Sequence, residues 1–197
     1  MSSSAYWWNA IGLCLLLLWV IQRWRGGWRW FFVSASVAAV VSVVPILGHS
    51  PRFWFSSVAA NVSVPLLILI AVSIWQRASG VAVFRAREWS AAWIFGTVAA
   101  LALYPSALGL GFRSFDAYSL GWPWLDWLSS SLLFGSVALT AGFLVWRGNR
   151  FGWVLVAAAA AYLARWQESN NFWDYLLDPL FGAISLLAAV RLLLHRS

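Results

Sequence analysis

Long apolar stretches separated by short polar turns run through the whole chain of 197 residues. A helix needs about 20 predominantly apolar residues to cross a bilayer, within a range of roughly 17 to 25. Seven stretches qualify, the last two marginally: 5–22, 28–47, 54–75, 89–108, 128–146, 151–167 and 175–194. They lack the period-two alternation of barrel strands, and backbone in lipid must satisfy its own hydrogen bonds. The pattern predicts one domain, 1–197, folded as an all-α transmembrane bundle of about seven spans.

The composition supports this assignment to the membrane. Hydrophobic residues make up 62% of the chain and charged residues 10%, whereas a soluble domain is nearer half apolar and a quarter charged. The first apolar stretch has no basic segment before it and no small-residue cleavage site after it, so it is expected to be an uncleaved span and not a signal peptide. The 17 tryptophans cluster at predicted span ends, where indole rings anchor helices at the interface.

The distribution of arginine predicts the orientation. Ten of the 13 basic residues follow odd-numbered spans: Arg23, Arg25, Arg29, Arg77, Arg85, Arg87, Arg147, Arg150, Arg191 and Arg196. Only Arg52, Arg113 and Arg165 lie on the other side. The positive-inside rule places the larger set in the cytoplasm, which puts the N-terminus outside and the C-terminus inside. The short loops and this bias are typical of a bacterial inner (plasma) membrane.

Residue counts exclude several classes of function. The basic residues are all Arg, so Schiff-base chemistry and a P-loop, which both need Lys, are excluded. The single cysteine, Cys14, excludes an intrachain disulfide and a cysteine-rich metal site. Because the arginines lie between apolar runs and not along one stripe, we expect no nucleic-acid partner.

Within the spans, two features predict details of packing. Pro65 cannot donate to the carbonyl of Asn61, which predicts a kink in the third span. Small residues let helices approach closely; they occur at Gly96 and Ala100 in the fourth span and at Gly135 and Gly142 in the fifth.

Two outer loops carry most of the polar character. The loop over 104–126 is rich in Gly, Pro and aromatic residues, and Pro105 with the following glycines indicates turns. The loop over 165–179 is the densest polar stretch. Its Asp178-Pro179 pair predicts a helix start, with Asp as N-cap, that shortens the last span to about 16 residues. Alternatively the helix begins near Asn171 and kinks at Pro179, which would place Asp174 and Asp178 on one face.

The odd-span arrangement gathers the candidate functional residues on this outer face. The catalytic candidates are Glu168, Asp174, Asp116 and His49. The candidates for ligand binding are Arg52, Arg113, Arg165, Asn170 and Asn171, and the candidates for metal binding are Asp116, Glu168, Asp174 and Asp178. Carboxylates with a histidine can hold a divalent cation, and arginine can bind phosphate through two hydrogen bonds. No spacing matches a metal or catalytic signature, so the ordinary interpretation is a solvated polar cap.

Three functions stay open at this stage. A non-catalytic subunit or scaffold would tolerate changes of the outer polar residues and bind a protein partner or a second copy through apolar helix faces. An enzyme or binding protein acting on a lipid-linked or polyprenyl phosphate, with or without a metal, would not tolerate the amide at Glu168, Asp174 or Asp116. A transporter or flippase ranks last because no span has a charged residue at its centre and no internal repeat is present. Membrane lipids are partners in all three cases.

Overall fold

The computed structural model describes residues 3–23, 27–45, 48–58, 61–110, 116–122 and 127–194. Across these ranges the fold is all-helical, with 78% of residues in helix, nine α-helices and no strand. The α-helices are α1 (Ser3–Gln22), α2 (Trp28–Val43), α3 (Pro51–Val58), α4 (Val64–Ser79), α5 (Ala86–Ala107), α6 (Trp127–Trp146), α7 (Phe151–Leu163), α8 (Phe172–Leu176) and α9 (Pro179–Leu194). A 3₁₀ helix, Ala117–Gly121, lies between α5 and α6.

The central helix of the bundle is α4, which packs against α1, α2, α7, α8 and α9. Its buried residues are Val64, Pro65, Leu66, Leu67, Leu69, Ile70, Ile74 and Ala78. Around it the closest helix pairs are α5 with α9, α1 with α2, and α6 with α7. Most of the largest fully buried side chains come from α4, α7, the chain around α8 and the start of α9, and they include Phe151, Phe172, Tyr175 and Phe181. The core therefore sits where these elements meet.

Among the described residues, only α5 is both long and apolar enough to cross a membrane unaided. Shorter apolar helical segments accompany it at 10–22, 28–42, 64–79, 131–146, 151–163 and 179–192. The all-helical class is confirmed, whereas the count of about seven spans stays a prediction.

The prediction of one continuous helix over 54–75 was wrong. Two helices occupy this stretch, because α3 ends at Val58 and α4 begins at Val64. Ser63 is the N-cap of α4: its backbone is extended and its hydroxyl accepts a hydrogen bond from the Leu66 N–H at 3.4 Å. Pro65 lies in the first turn of α4, where a helix needs no donor from it. The predicted kink at Pro65 was therefore also wrong.

The last predicted span is divided in a similar way. Asp178 is the N-cap of a 16-residue helix that starts at Pro179, which confirms the first interpretation. A helix also starts after Asn171, but it ends at Leu176, and Leu177 is extended with φ −145° and ψ 133°. The kinked continuous helix is thus wrong.

Several other helix ends differ from the predicted bounds: α2 ends at Val43 and not at 47, α4 continues to Ser79, and α5 begins at Ala86. The sixth predicted span, 151–167, corresponds to α7, which ends at Leu163. The helix cannot continue further because Arg165 adopts a left-handed conformation with φ 52°. Pro105 lies inside the last turn of α5, and the chain turns at Gly109, whose φ is +72°.

Close helix packing is confirmed for Gly96 and not for the glycines of α6. A Cβ atom at Gly96 would lie 2.1 Å from Ser185 Oγ and 2.8 Å from Ser185 Cβ, so the α5 backbone packs there directly against a side chain of α9. A Cβ atom at Gly135 or Gly142 would have no heavy atom within 4 Å. These two positions face away from the described bundle.

We expect Gly96→Ala to destabilise the protein by about 1–3 kcal/mol, because the added methyl group overpacks the contact between α5 and α9. Gly135→Ala is the matched control, and it should be neutral or slightly stabilising because alanine favours helix. Thermal unfolding followed by circular dichroism in mild detergent would measure both. Equal midpoints for Gly96→Ala and the unaltered protein would contradict this packing.

Candidate functional site

The polar residues of 167–178 form a compact cluster, and Tyr175 stands at its centre. Its side chain is fully buried. The Tyr175 hydroxyl accepts a hydrogen bond from the Gln167 N–H at 3.0 Å and lies 3.1 and 3.2 Å from the carbonyl oxygens of Gln167 and Ser169. The hydroxyl thereby satisfies backbone groups of the irregular segment between α7 and α8. Because this segment is not helical, its backbone groups need hydrogen-bond partners from elsewhere.

Asn171 attaches the 3₁₀ helix to this cluster. Its Oδ1 accepts from the Trp173 N–H at 2.9 Å, which caps α8, and its Nδ2 donates to the Tyr118 carbonyl at 2.9 Å. The Trp173 indole N–H donates to the Ala117 carbonyl at 2.8 Å. Gly121 is needed here because any Cβ atom would lie 1.7 Å from Asn171 Oδ1. Asn171 is therefore a structural residue of this interface.

Asp174 receives hydrogen bonds from two side chains. The Tyr118 hydroxyl lies 3.0 and 3.2 Å from its two oxygens, and the Ser169 hydroxyl donates to Oδ2. Burial raises the pKa of the Asp174 carboxyl above its ordinary value, although the hydrogen bonds from Ser169 and Tyr118 oppose part of that rise. Burial together with the neighbouring Asp174 also raises the pKa of Tyr118.

Asp178 joins two helices that are distant in sequence. Its Oδ1 accepts from the N–H groups of Leu180 and Phe181 at 2.8 and 2.9 Å, which caps α9. Its Oδ2 accepts from the Ser63 N–H at 2.8 Å, next to the start of α4. The side chain is 2% exposed. Its oxygens are thus already used by three backbone donors.

A second hydrogen bond connects the non-helical stretch before α4 to the cluster. The Gln167 side-chain amide donates to the Val62 carbonyl at 2.9 Å. Gln167 Oε1 and the Tyr104 hydroxyl are buried and have no hydrogen-bond partner. They are the polar atoms in this region that the described fold leaves unsatisfied.

The other predicted site residues lie at the edge of the cluster or away from it. Asp116 is exposed, and its Oδ1 caps the 3₁₀ helix by accepting from the Tyr118 N–H at 3.0 Å. Glu168, Asn170 and Arg165 are also exposed. The His49 ring stacks on Phe53 at 4.3 Å, on a segment whose helix packs against α1 and α2.

The structure thus brings together Asn171, Asp174 and, through the 3₁₀ helix, Asp116. The Arg52 side chain and residue Arg113 lie outside the described residues. In the part of the chain that the structure describes, no group of three His, Cys, Asp or Glu side chains could hold a metal ion. Sequence reasoning missed Tyr118, Ser169, Gln167, Tyr175 and Ser63, which are the partners of the predicted residues.

Comparison with known proteins gives no relative: no family model matches the chain, and neither a curated protein nor a solved structure is significantly similar to it.

We expect Asp178→Ala to destabilise the fold by about 2–4 kcal/mol, because α9 loses its cap and the Ser63 N–H is left buried without an acceptor. The free energy of unfolding of Asp178→Asn should lie between those of the alanine variant and the unaltered protein. Its amide oxygen can still cap α9, whereas its NH₂ group faces the Ser63 donor. Chemical unfolding in detergent would measure the free energies.

Asp116→Ala is the control for this comparison, because Asp116 is an exposed cap, and we expect it to cost less than about 1 kcal/mol. The interpretation of Asp178 as a structural link would be wrong if its alanine variant were as stable as the Asp116→Ala protein.

Proposed function

We propose that this protein is a multi-pass protein of the bacterial inner membrane, with its N-terminus outside, that acts as a non-catalytic subunit or scaffold. The observation that carries the proposal is the use of the outer-face carboxylates. Asp116 and Asp178 cap helices, and Asp174 is bonded to Tyr118 and Ser169. These groups serve the fold, which leaves the apolar helix faces as the larger surface for interaction.

The exposed side chains support the membrane part of the proposal. Leu139, Trp146 and Leu163 are 75–78% exposed, and Val98 and Leu101 on α5 are 62% and 60% exposed. A soluble protein rarely exposes contiguous apolar surface of this extent. In a bilayer the same faces contact acyl chains or a partner helix.

An outer-face enzyme acting on a lipid-linked phosphate is the second candidate, and one observation favours it. The pKa of Asp174 is raised, and a carboxyl group with a raised pKa can serve as a general acid. Its two oxygens already accept hydrogen bonds, however, so catalysis would require the contacts with Tyr118 and Ser169 to open.

Cysteine labelling tests the proposed topology. In a Cys14→Ala background, we expect a membrane-impermeant maleimide to label His49→Cys in intact spheroplasts and to label Val81→Cys only after permeabilisation. Both positions are exposed, and they lie on opposite sides in the proposed orientation. Labelling of Val81→Cys in intact spheroplasts, or loss of the protein from membranes on alkaline extraction, would overturn the topology.

Site-specific photo-crosslinking in cells tests the subunit role. Ala138 and Ala141 lie on α6, but Ala138 is exposed whereas Ala141 is buried. We expect a photoreactive residue at 138 to give a defined protein adduct of fixed stoichiometry and the same residue at 141 to give none. Only lipid adducts at 138, and also at Leu101 on α5, would contradict a subunit role.

Loss of a polyprenyl phosphatase or transferase activity in a folded Asp174→Asn variant would support the enzyme instead.

A further inference from the structure

A cleft between two pairs of helices extends along α4 from Leu66 to Arg77 and reaches the end of the bundle opposite to Asp178. It separates α1 and α4 from α5 and α9. Two adjoining cavities of about 210 and 610 Å³ form it, and both are lined by Trp19, Trp89, Trp93 and Ile184. The Trp19 indole N–H donates to the Ser73 hydroxyl at 3.0 Å, which fixes one aromatic wall. The cleft is therefore large, apolar and partly preformed.

Three arginines from three different helix ends line this cleft. Arg23 and Arg191 border the larger cavity, and Arg77 borders the smaller one. Arg77 and Arg191 lie in the last turns of α4 and α9, and Arg23 directly follows α1. The Arg23 guanidinium lies 5.8 Å from the centre of the Trp19 ring. The cationic groups thus sit at the mouth, and the aromatic rings line the interior.

Among the described residues, no carboxylate forms an ion pair with the arginines of this mouth. Among the described residues the one ion pair joins Arg87 and Glu88 at 3.0 Å. Glu88 is buried, and it also accepts from the Arg85 N–H at 2.7 Å. None of the three cleft arginines forms an ion pair within the described part of the chain. An anion bound at the mouth would therefore meet guanidinium groups that have no ion-pair partner in the described ranges.

A phospholipid matches this combination of features better than a free anion. Its phosphate can accept paired hydrogen bonds from arginine. Its glycerol backbone lies at the depth where tryptophan rings concentrate, and its acyl chain needs an apolar wall. Leu187 and Leu192 of α9 extend the wall of the larger cavity away from Trp93. A free phosphate would leave this wall without an occupant.

We infer that the cleft binds one anionic phospholipid, with its phosphate held by Arg23, Arg77 and Arg191 and an acyl chain against Trp19, Trp93 and Leu187. This inference rests on the proposed membrane location, and the positive-inside rule assigns the lipid to the cytoplasmic leaflet.

Native mass spectrometry of the detergent-solubilised protein tests the site, with phosphatidylglycerol and phosphatidylcholine of identical acyl chains as probes. We expect one tightly held phosphatidylglycerol and only weak, non-stoichiometric phosphatidylcholine. The double variant Arg23→Gln/Arg191→Gln should lose about tenfold in affinity for phosphatidylglycerol, since two charge-assisted contacts disappear. The control Arg29→Gln/Arg147→Gln removes the same charge from exposed arginines outside the cleft, and its affinity should change less than twofold.

A variant that keeps every arginine tests the site independently, in case the double variant does not fold. Leu187 is 62% exposed and lines the cleft, so Leu187→Trp should fill the acyl position and weaken phosphatidylglycerol binding at an unchanged thermal midpoint. Glycerophosphoglycerol, which is the same headgroup without acyl chains, should not compete.

Several results would overturn the inference. Equal binding of the two lipids would mean non-specific annular lipid, and full competition by glycerophosphoglycerol or by inorganic phosphate would mean a site for a free anion. An equal loss in the control double variant would mean a general charge effect. Any of these results together with the expected cysteine-labelling pattern would overturn the lipid site and leave the proposed topology standing.

Discussion

The carboxylate of Asp178 is the constraint on which the arrangement of the helices depends. A buried carboxylate is costly unless hydrogen-bond donors replace its hydration. Here the donors are the Leu180, Phe181 and Ser63 N–H groups, which belong to the starts of α9 and α4. Both helix N-termini carry partial positive charge that favours an anion between them. One side chain thereby fixes the position of the central helix, α4, relative to the last helix, α9. The position of α5 is then determined by its close contact with α9 at Gly96.

The remaining outer polar residues extend this link and do not form a separate reaction centre. Gln167 holds the chain before α4 through the Val62 carbonyl, and Asn171 holds the 3₁₀ helix through the Tyr118 carbonyl. Each contact satisfies a backbone group that the irregular segments leave without a partner. The density of polar residues over 165–179 therefore reflects the number of chain breaks at this end of the bundle. A bundle of uninterrupted helices would need fewer of them.

Part of this arrangement could be predicted from the sequence because its signal is local. Asp178 followed by Pro179 indicates a helix start wherever it occurs, and Gly96 with Ala100 indicates a close helix contact. The break before α4 was not evident from hydropathy, because its polar residues, Asn61 and Ser63, lie within an otherwise apolar run. Ser63 two residues before Pro65 was a capping signal that the apolar run obscured. The pairing of Tyr118 with Asp174 joins residues that are 56 positions apart, and no local pattern specifies it.

The two ends of the bundle differ in how their charges are satisfied, and this difference separates structure from binding. At the end of the bundle that holds Asp178, every described aspartate accepts hydrogen bonds from the chain itself, so an added ligand would have to compete with the fold. At the other end the three arginines of the cleft form no ion pair within the part of the chain that the structure describes. Guanidinium groups can bind an anionic group of another molecule through paired hydrogen bonds. The same chain therefore combines one end whose described aspartates are bonded within the fold with one end whose charge favours an external ligand, and the aromatic cleft reaches the second end.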